Sequence, residues 1–89
     1  MATVPYRVVM PKTKFSRDRG VLLKLLKAIR TQAGLTQAEM ARKLGQPQSF
    51  VSKYESGERR LDVLELGQVC RATGIPLAEF IRRLEAGGQ

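Results

Sequence analysis

The stretch Gly34–Gly57, GLTQAEMARKLGQPQSFVSKYESG, constrains this chain more than any other part of it. Thr36 is followed three residues on by Glu39. In this T-x-x-E pattern the two side chains reciprocally satisfy backbone N–H groups at a helix start. Met40, Ala41 and Leu44 then define an inward face, and Gly45 supplies the stop. Gln46-Pro47 opens the next helix, with Pro47 at its first helical position, where a missing N–H is harmless. Val51 and Tyr54 turn inward, Gln48, Ser49, Ser52 and Lys53 lie on the other side, and Gly57 ends the helix. The pattern describes two short helices joined by a tight turn, the second presenting a polar outer edge.

The flanks complete an all-α plan. In Met1–Phe15, Pro5 and Pro11 bracket the β-leaning run Tyr6–Met10, which suits an extended arm or edge strand. Ser16 or Asp18 caps a first helix running to about Ala33, with Leu22, Leu26, Ile29 and Ala33 as its buried face. Leu23 and Leu25 widen that face. They cover Val8, Met10 or Phe15 of the arm, meet another chain, or stand as scattered surface leucines. Asp62 caps a fourth helix with Val63, Leu66, Val69 and Cys70 inward and Gly74 as its stop. A fifth follows Pro76 with Leu77, Phe80, Ile81 and Leu84 as its stripe. The expectation is a compact five-helix domain over 17–86, an extended basic arm over 1–16 and a frayed tail over 87–89.

Charge and composition narrow the function classes. Sixteen Lys+Arg oppose eight Asp+Glu, a net charge of +8. Eight of the basic residues (Arg7, Lys12, Lys14, Arg17, Arg19, Lys24, Lys27, Arg30) precede residue 31 beside one acid, Asp18. Such an excess favours a polyanionic partner through phosphate attraction and counterion release. With no His, one Cys and scattered acids, the chain lacks the usual general base and clustered metal ligands. No enzyme, metal or cofactor is expected. Cys70 cannot form an internal disulfide, suits a reducing cytoplasm and reads as a small buried hydrophobe. No apolar run is long enough for a membrane span, and Val8–Met10 is too short for a signal-peptide core, so a cytoplasmic location is expected.

LTQAEMARKLG and QSFVSKYESGERR together resemble the phage repressor/Cro-type (XRE-type) helix-turn-helix DNA-binding family, over about Leu22–Leu84. The resemblance implies a repressor-like fold whose recognition helix, about 47–56, enters the major groove while helix two crosses the DNA backbone. By the same resemblance Gln37 bonds a phosphate and braces the first recognition-helix Gln. Gln48 matches a base-reading position, its amide able to pair with adenine, and Ser49, Ser52 and Lys53 match other base-facing positions. Arg59 and Arg60 match loop positions that approach phosphate, as do Arg42 and Lys43 less directly. Arg30 and Glu55 match a partly buried ion pair that locks helix one to helix three, an architectural role.

The chain also departs from that family. Pro47 stands where a Ser or Thr usually caps helix three, so that helix is expected to begin one residue earlier. Gly67 lies inside helix four, at a cost of about 1 kcal/mol relative to Ala unless a neighbour approaches closely. Leu61 replaces a common Pro, and Leu64 is apolar where the family tends to be polar. The excess apolar residues Leu64, Leu77, Phe80, Ile81 and Leu84 suggest a homodimer surface. The resulting expectation is a small bacterial or phage transcriptional regulator, a repressor on a near-palindromic operator in double-stranded DNA. The alternative is a protein-interaction module, such as an antitoxin-like partner that binds another protein through its arm and regulates its own gene.

Overall fold

Pro11 is the last residue upstream that bars a helix, and from Lys12 onward the sequence is rich in Leu, Lys and Arg. Helix α1 accordingly spans Lys12–Gln32. The computed structural model describes the backbone of residues 12–88 and the side chains of residues 17–88. After α1 come α2 (Gln37–Leu44), α3 (Gln48–Ser56), α4 (Val63–Thr73) and α5 (Leu77–Glu85), with no strand among the described residues. The extended arm expected over 1–16 is corrected at its inner end, because Lys12–Ser16 belongs to α1. Its remainder, with the Tyr6–Met10 strand and any protein partner there, lies outside the described residues. Neither Ser16 nor Asp18 is a cap, since both sit within the helix.

Helix α1 packs against α3, α4 and α5, and α2 lies against α3 and α4. Being surrounded explains why α1 needs a wide apolar face: Leu25, Leu26 and Ile29 are all buried, and Leu22 and Leu23 pack at the margin. Ala33 is exposed instead, because α1 ends at Gln32 and Ala33 belongs to the turn. Met40, Ala41, Val51, Tyr54, Val69, Cys70 and Phe80 complete the core. Burial pushes the Cys70 thiol up, away from the reactive thiolate.

The local signals in α2 are all in place. Glu39 N–H donates to Thr36 Oγ at 3.1 Å, and Thr36 N–H donates to Glu39 Oε1 at 2.8 Å. At the other end Gly45 adopts a left-handed φ of 67°, returning its N–H to the last turn. Asp62 opens α4 in the same way, and Glu65 closes the reciprocal pair. Pro47 is corrected from first helical residue to cap: its ψ of 156° is extended, so α3 starts at Gln48 and no side chain caps it.

Two apolar assignments also change. Val63 is 62% exposed: it lies at the right angle for the inner face but in the first turn, beyond the reach of the helices that cover α4. Phe80 is fully buried, because α5 lies against both α1 and α4, so it is unavailable to a partner chain. Gly67 is buried, yet a Cβ there would meet only Arg71 Nη1, at 3.9 Å, so no close approach requires the glycine.

Candidate nucleic-acid interface

The arrangement is organised around Glu55 in the last turns of α3. Arg30, on α1, approaches it edge-on: Nε donates to Glu55 Oε2 at 2.6 Å and Nη2 to Oε1 at 3.1 Å. A third bond, from Nη1 to the Leu35 carbonyl at 2.8 Å, reaches the turn before α2. The two side chains are only 9% and 5% exposed, so water screens the pair little. The bonds to Glu55 raise the guanidinium pKa further above its ordinary value. The planar fork of Arg satisfies two oxygens at once, which a lysine in this place cannot do.

Gln37, at the start of α2, joins the same carboxylate: its Nε2 donates to Glu55 Oε1 at 3.1 Å. In this structure Gln37 braces Glu55, and no hydrogen bond joins it to Gln48. One carboxylate thus holds α1 and the first residue of α2 against α3, and Arg30 ties in the turn before α2 through the Leu35 carbonyl. Beneath it Tyr54 is buried, its ring edge-on to Phe50 at 5.5 Å between centroids. Burial pushes the Tyr54 phenol well up, and its hydroxyl has no hydrogen-bond partner.

The side of α3 away from the buried Val51 and Tyr54 is polar. Gln48, Ser49 and Lys53 are exposed and Ser52 is half-buried, spread from the first turn toward the last. The uncapped start leaves the first N–H groups of α3 uncommitted to any side chain of their own helix. Arg42 and Lys43 are exposed on the last turn of α2, where Lys43 Nζ donates to the Ala72 carbonyl of α4 at 3.2 Å. Arg60 is exposed in the α3–α4 connection. Arg59, beside it, is engaged with the protein itself. Its Nη1 and Nη2 reach Glu65 Oε1 and Oε2 at 3.1 and 2.8 Å, and its Cζ stands 4.6 Å from the Phe50 ring centroid.

Arg19 is a contributor that sequence patterning does not single out. Its guanidinium, on α1, donates to the carbonyl of Gly57, the left-handed residue (φ 90°) that ends α3. Nothing local in the sequence joins Arg19 to Gly57; only the crossing of α1 and α3 does. On α4 and α5, Leu64 is 76% exposed and Ile81 37%, while Leu77 and Leu84 are half-buried against the core. Among the described residues no helix is long and apolar enough to cross a membrane.

A helix-turn-helix family model matches residues 26–80. An XRE-family like protein from Pseudomonas syringae pv. tomato str. DC3000 superposes with a TM-score of 0.74 at 47% identity, over 83% of this chain and 89% of that one. The clp gene regulator ClgR from C. glutamicum superposes with a TM-score of 0.70, over 93% of this chain and all 100% of that one. At 22% identity, the second likeness is one of fold alone. No curated protein matches the chain.

Proposed function

The chain belongs to the XRE-type helix-turn-helix family of DNA-binding transcription regulators, and from that premise we propose that it binds a near-palindromic operator as a homodimer and represses from it. In this reading α3 lies in the major groove. Gln48, Ser49, Ser52 and Lys53 read base edges, Gln48 through its amide toward adenine and Lys53 toward guanine acceptors. Gln37, Arg42 and Arg60 approach phosphates, with Lys43 at the margin because of its bond to Ala72. The observation that carries the reading is the contrast across α3. Val51 and Tyr54 bury one side and the Arg30–Glu55–Gln37 cluster fixes the last turns, whereas the other side offers exposed amide, hydroxyl and ammonium groups beside an uncapped helix start. Bound across a promoter, such a protein represses by occupancy and needs no further surface.

Two-fold symmetry is the simplest way for one short recognition helix to specify enough base pairs. It places half-sites about 10–10.5 bp apart. The exposed Leu64 and Ile81, with the rims of Leu77 and Leu84, form the dimer surface in this reading, and Val63 joins them. Phe80 has no part in it. Sedimentation at tens of micromolar, with and without DNA, checks the dimer: a monomer under both conditions removes it.

The DNA reading is tested by selecting bound duplexes from a random pool, wild type beside Gln48→Ala, across a salt series. A symmetric site should emerge, with affinity falling steeply as salt rises. Gln48→Ala should lose base preference at one position per half-site and keep the salt slope. No enriched sequence, with the variant like wild type, would reduce the protein to a general polyanion binder.

A further inference from the structure

The Arg59 contacts point to a different role from the phosphate contact that its place in the sequence suggests. Its guanidinium donates to both Glu65 oxygens and to the Arg60 carbonyl, the last at 2.8 Å, and it lies over the face of Phe50 on α3. Glu65 is itself a structural hub, since its Oε1 also accepts the Asp62 N–H at 3.0 Å in the reciprocal cap of α4. The Arg59 backbone N–H meanwhile donates to the Lys53 carbonyl at 3.1 Å, closing the end of α3. A continuous chain of contacts therefore runs from the recognition helix through Phe50, Arg59 and Glu65 into the first turn of α4. Its charges cancel: the Glu65 bonds raise the Arg59 pKa and lower that of Glu65. A cation already paired with a carboxylate offers little to counterion release on DNA.

We infer that Arg59 is a positioning residue: by stacking on Phe50 and clamping Glu65 it sets the angle of α3 against α4, and Arg60 beside it makes the phosphate contact. The inference rests on the reading of α3 as the base-reading helix. It goes beyond that reading in assigning base discrimination to a residue that touches no DNA. Making the fork and the stack at once requires a planar guanidinium, so Lys cannot substitute although its charge is the same. A phosphate contact, by contrast, is largely restored by Lys.

The test measures the affinity of full-length protein for the selected duplex and for a scrambled one across a salt series. The variants are Arg59→Lys, Glu65→Gln, Arg60→Ala and Gln48→Ala, each with its thermal melt. Positioning predicts that Arg59→Lys and Glu65→Gln each lower the selected-to-scrambled ratio by about tenfold, the scale of one good base contact. Their salt slopes should stay at the wild-type value, while Arg60→Ala lowers the slope by about one. Partial unfolding would weaken both duplexes equally and leave the ratio unchanged, which overturns the inference. A wild-type ratio in Arg59→Lys overturns it too. So does a general rise in affinity for Glu65→Gln, since Arg59 would then be a phosphate ligand held back by its partner. Gln48→Ala separates the two levels. If it loses the ratio and Arg59→Lys does not, only the positioning role fails; if it keeps the ratio, the reading of α3 fails and the positioning role falls with it.

Discussion

Helices α2 and α3 are nearly equal in length, eight and nine residues, and lie side by side, yet they are held in opposite ways. Helix α2 stabilises its own ends: Thr36 and Glu39 close its start, and the Gly45 N–H returns to the carbonyls of Ala41 and Arg42. The bonds with Thr36 hold the Glu39 carboxyl below its ordinary pKa. Helix α3 has no capping side chain and is fixed from outside, by Arg30 and Gln37 on Glu55, by Arg19 on Gly57 and by Arg59 on Phe50. A helix whose start and polar edge must stay open to a ligand cannot use those groups for its own stability. The restraint has to come from its back and its far end.

The most severe way to break the comparison is Glu55→Ala. It removes the carboxylate shared by α1, α2 and α3 and leaves Arg30 with the Leu35 carbonyl alone. Loss of one partner from a buried pair is expected to cost about 3 kcal/mol. In a domain of this size that lowers Tm by roughly 12–24 °C, read by circular dichroism. An unchanged melt with lost DNA binding would move Glu55 from architecture to readout. Thr36→Ala strikes the other kind of restraint and should cost about 1 kcal/mol. Because α3 is held elsewhere, the ratio of specific to scrambled DNA affinity should stay at its wild-type value; a collapse of that ratio would mean that the cap of α2 also aims α3.

This difference also explains what was legible in the sequence. The boundaries of α2, and the Asp62 cap of α4, are written in residues three or four apart, so spacing alone exposes them. The restraints on α3 are not, because Arg19 and Gly57, or Phe50, Arg59 and Glu65, meet only once the helices cross. Arg30 and Glu55 were accessible through resemblance to a family, not through any local rule. Phe80 and Val63 were misassigned for a related reason. Periodicity tells which side of a helix is apolar, but not how far along it the neighbours extend. Phe80 lies within reach of α1 and α4, whereas Val63 lies past the end of the packing.

Two smaller effects sharpen the comparison outside the α2–α3 pair. Gly67→Ala should raise stability by about 0.5–1 kcal/mol, since a mid-helix glycine is replaced where its Cβ meets nothing closer than 3.9 Å. A lower Tm for this variant would reveal a close approach at α4. The smallest effect belongs to Glu79, whose bonds to Arg82 and Arg83 lower its pKa from 4.5 to about 2. A depressed carboxyl stabilises the fold above pH 4.5, and that contribution fades as pH falls through about 2. Arg82 is exposed and Arg83 and Glu79 are only half-buried, so solvent screens the cluster, the slope in an acid titration of Tm should be shallow, and Glu79→Gln should flatten it. A steep loss that persists in Glu79→Gln would assign acid sensitivity to another carboxylate.

The most direct test of the central claim is an amide-resolved titration of isotope-labelled protein with its selected duplex. The account predicts the largest shifts at Gln37, Gln48, Ser49, Ser52, Lys53 and Arg60, while the amides around Leu64 and Ile81 stay unmoved. Shifts that begin on α4 and α5 and leave the polar edge of α3 unchanged would contradict it.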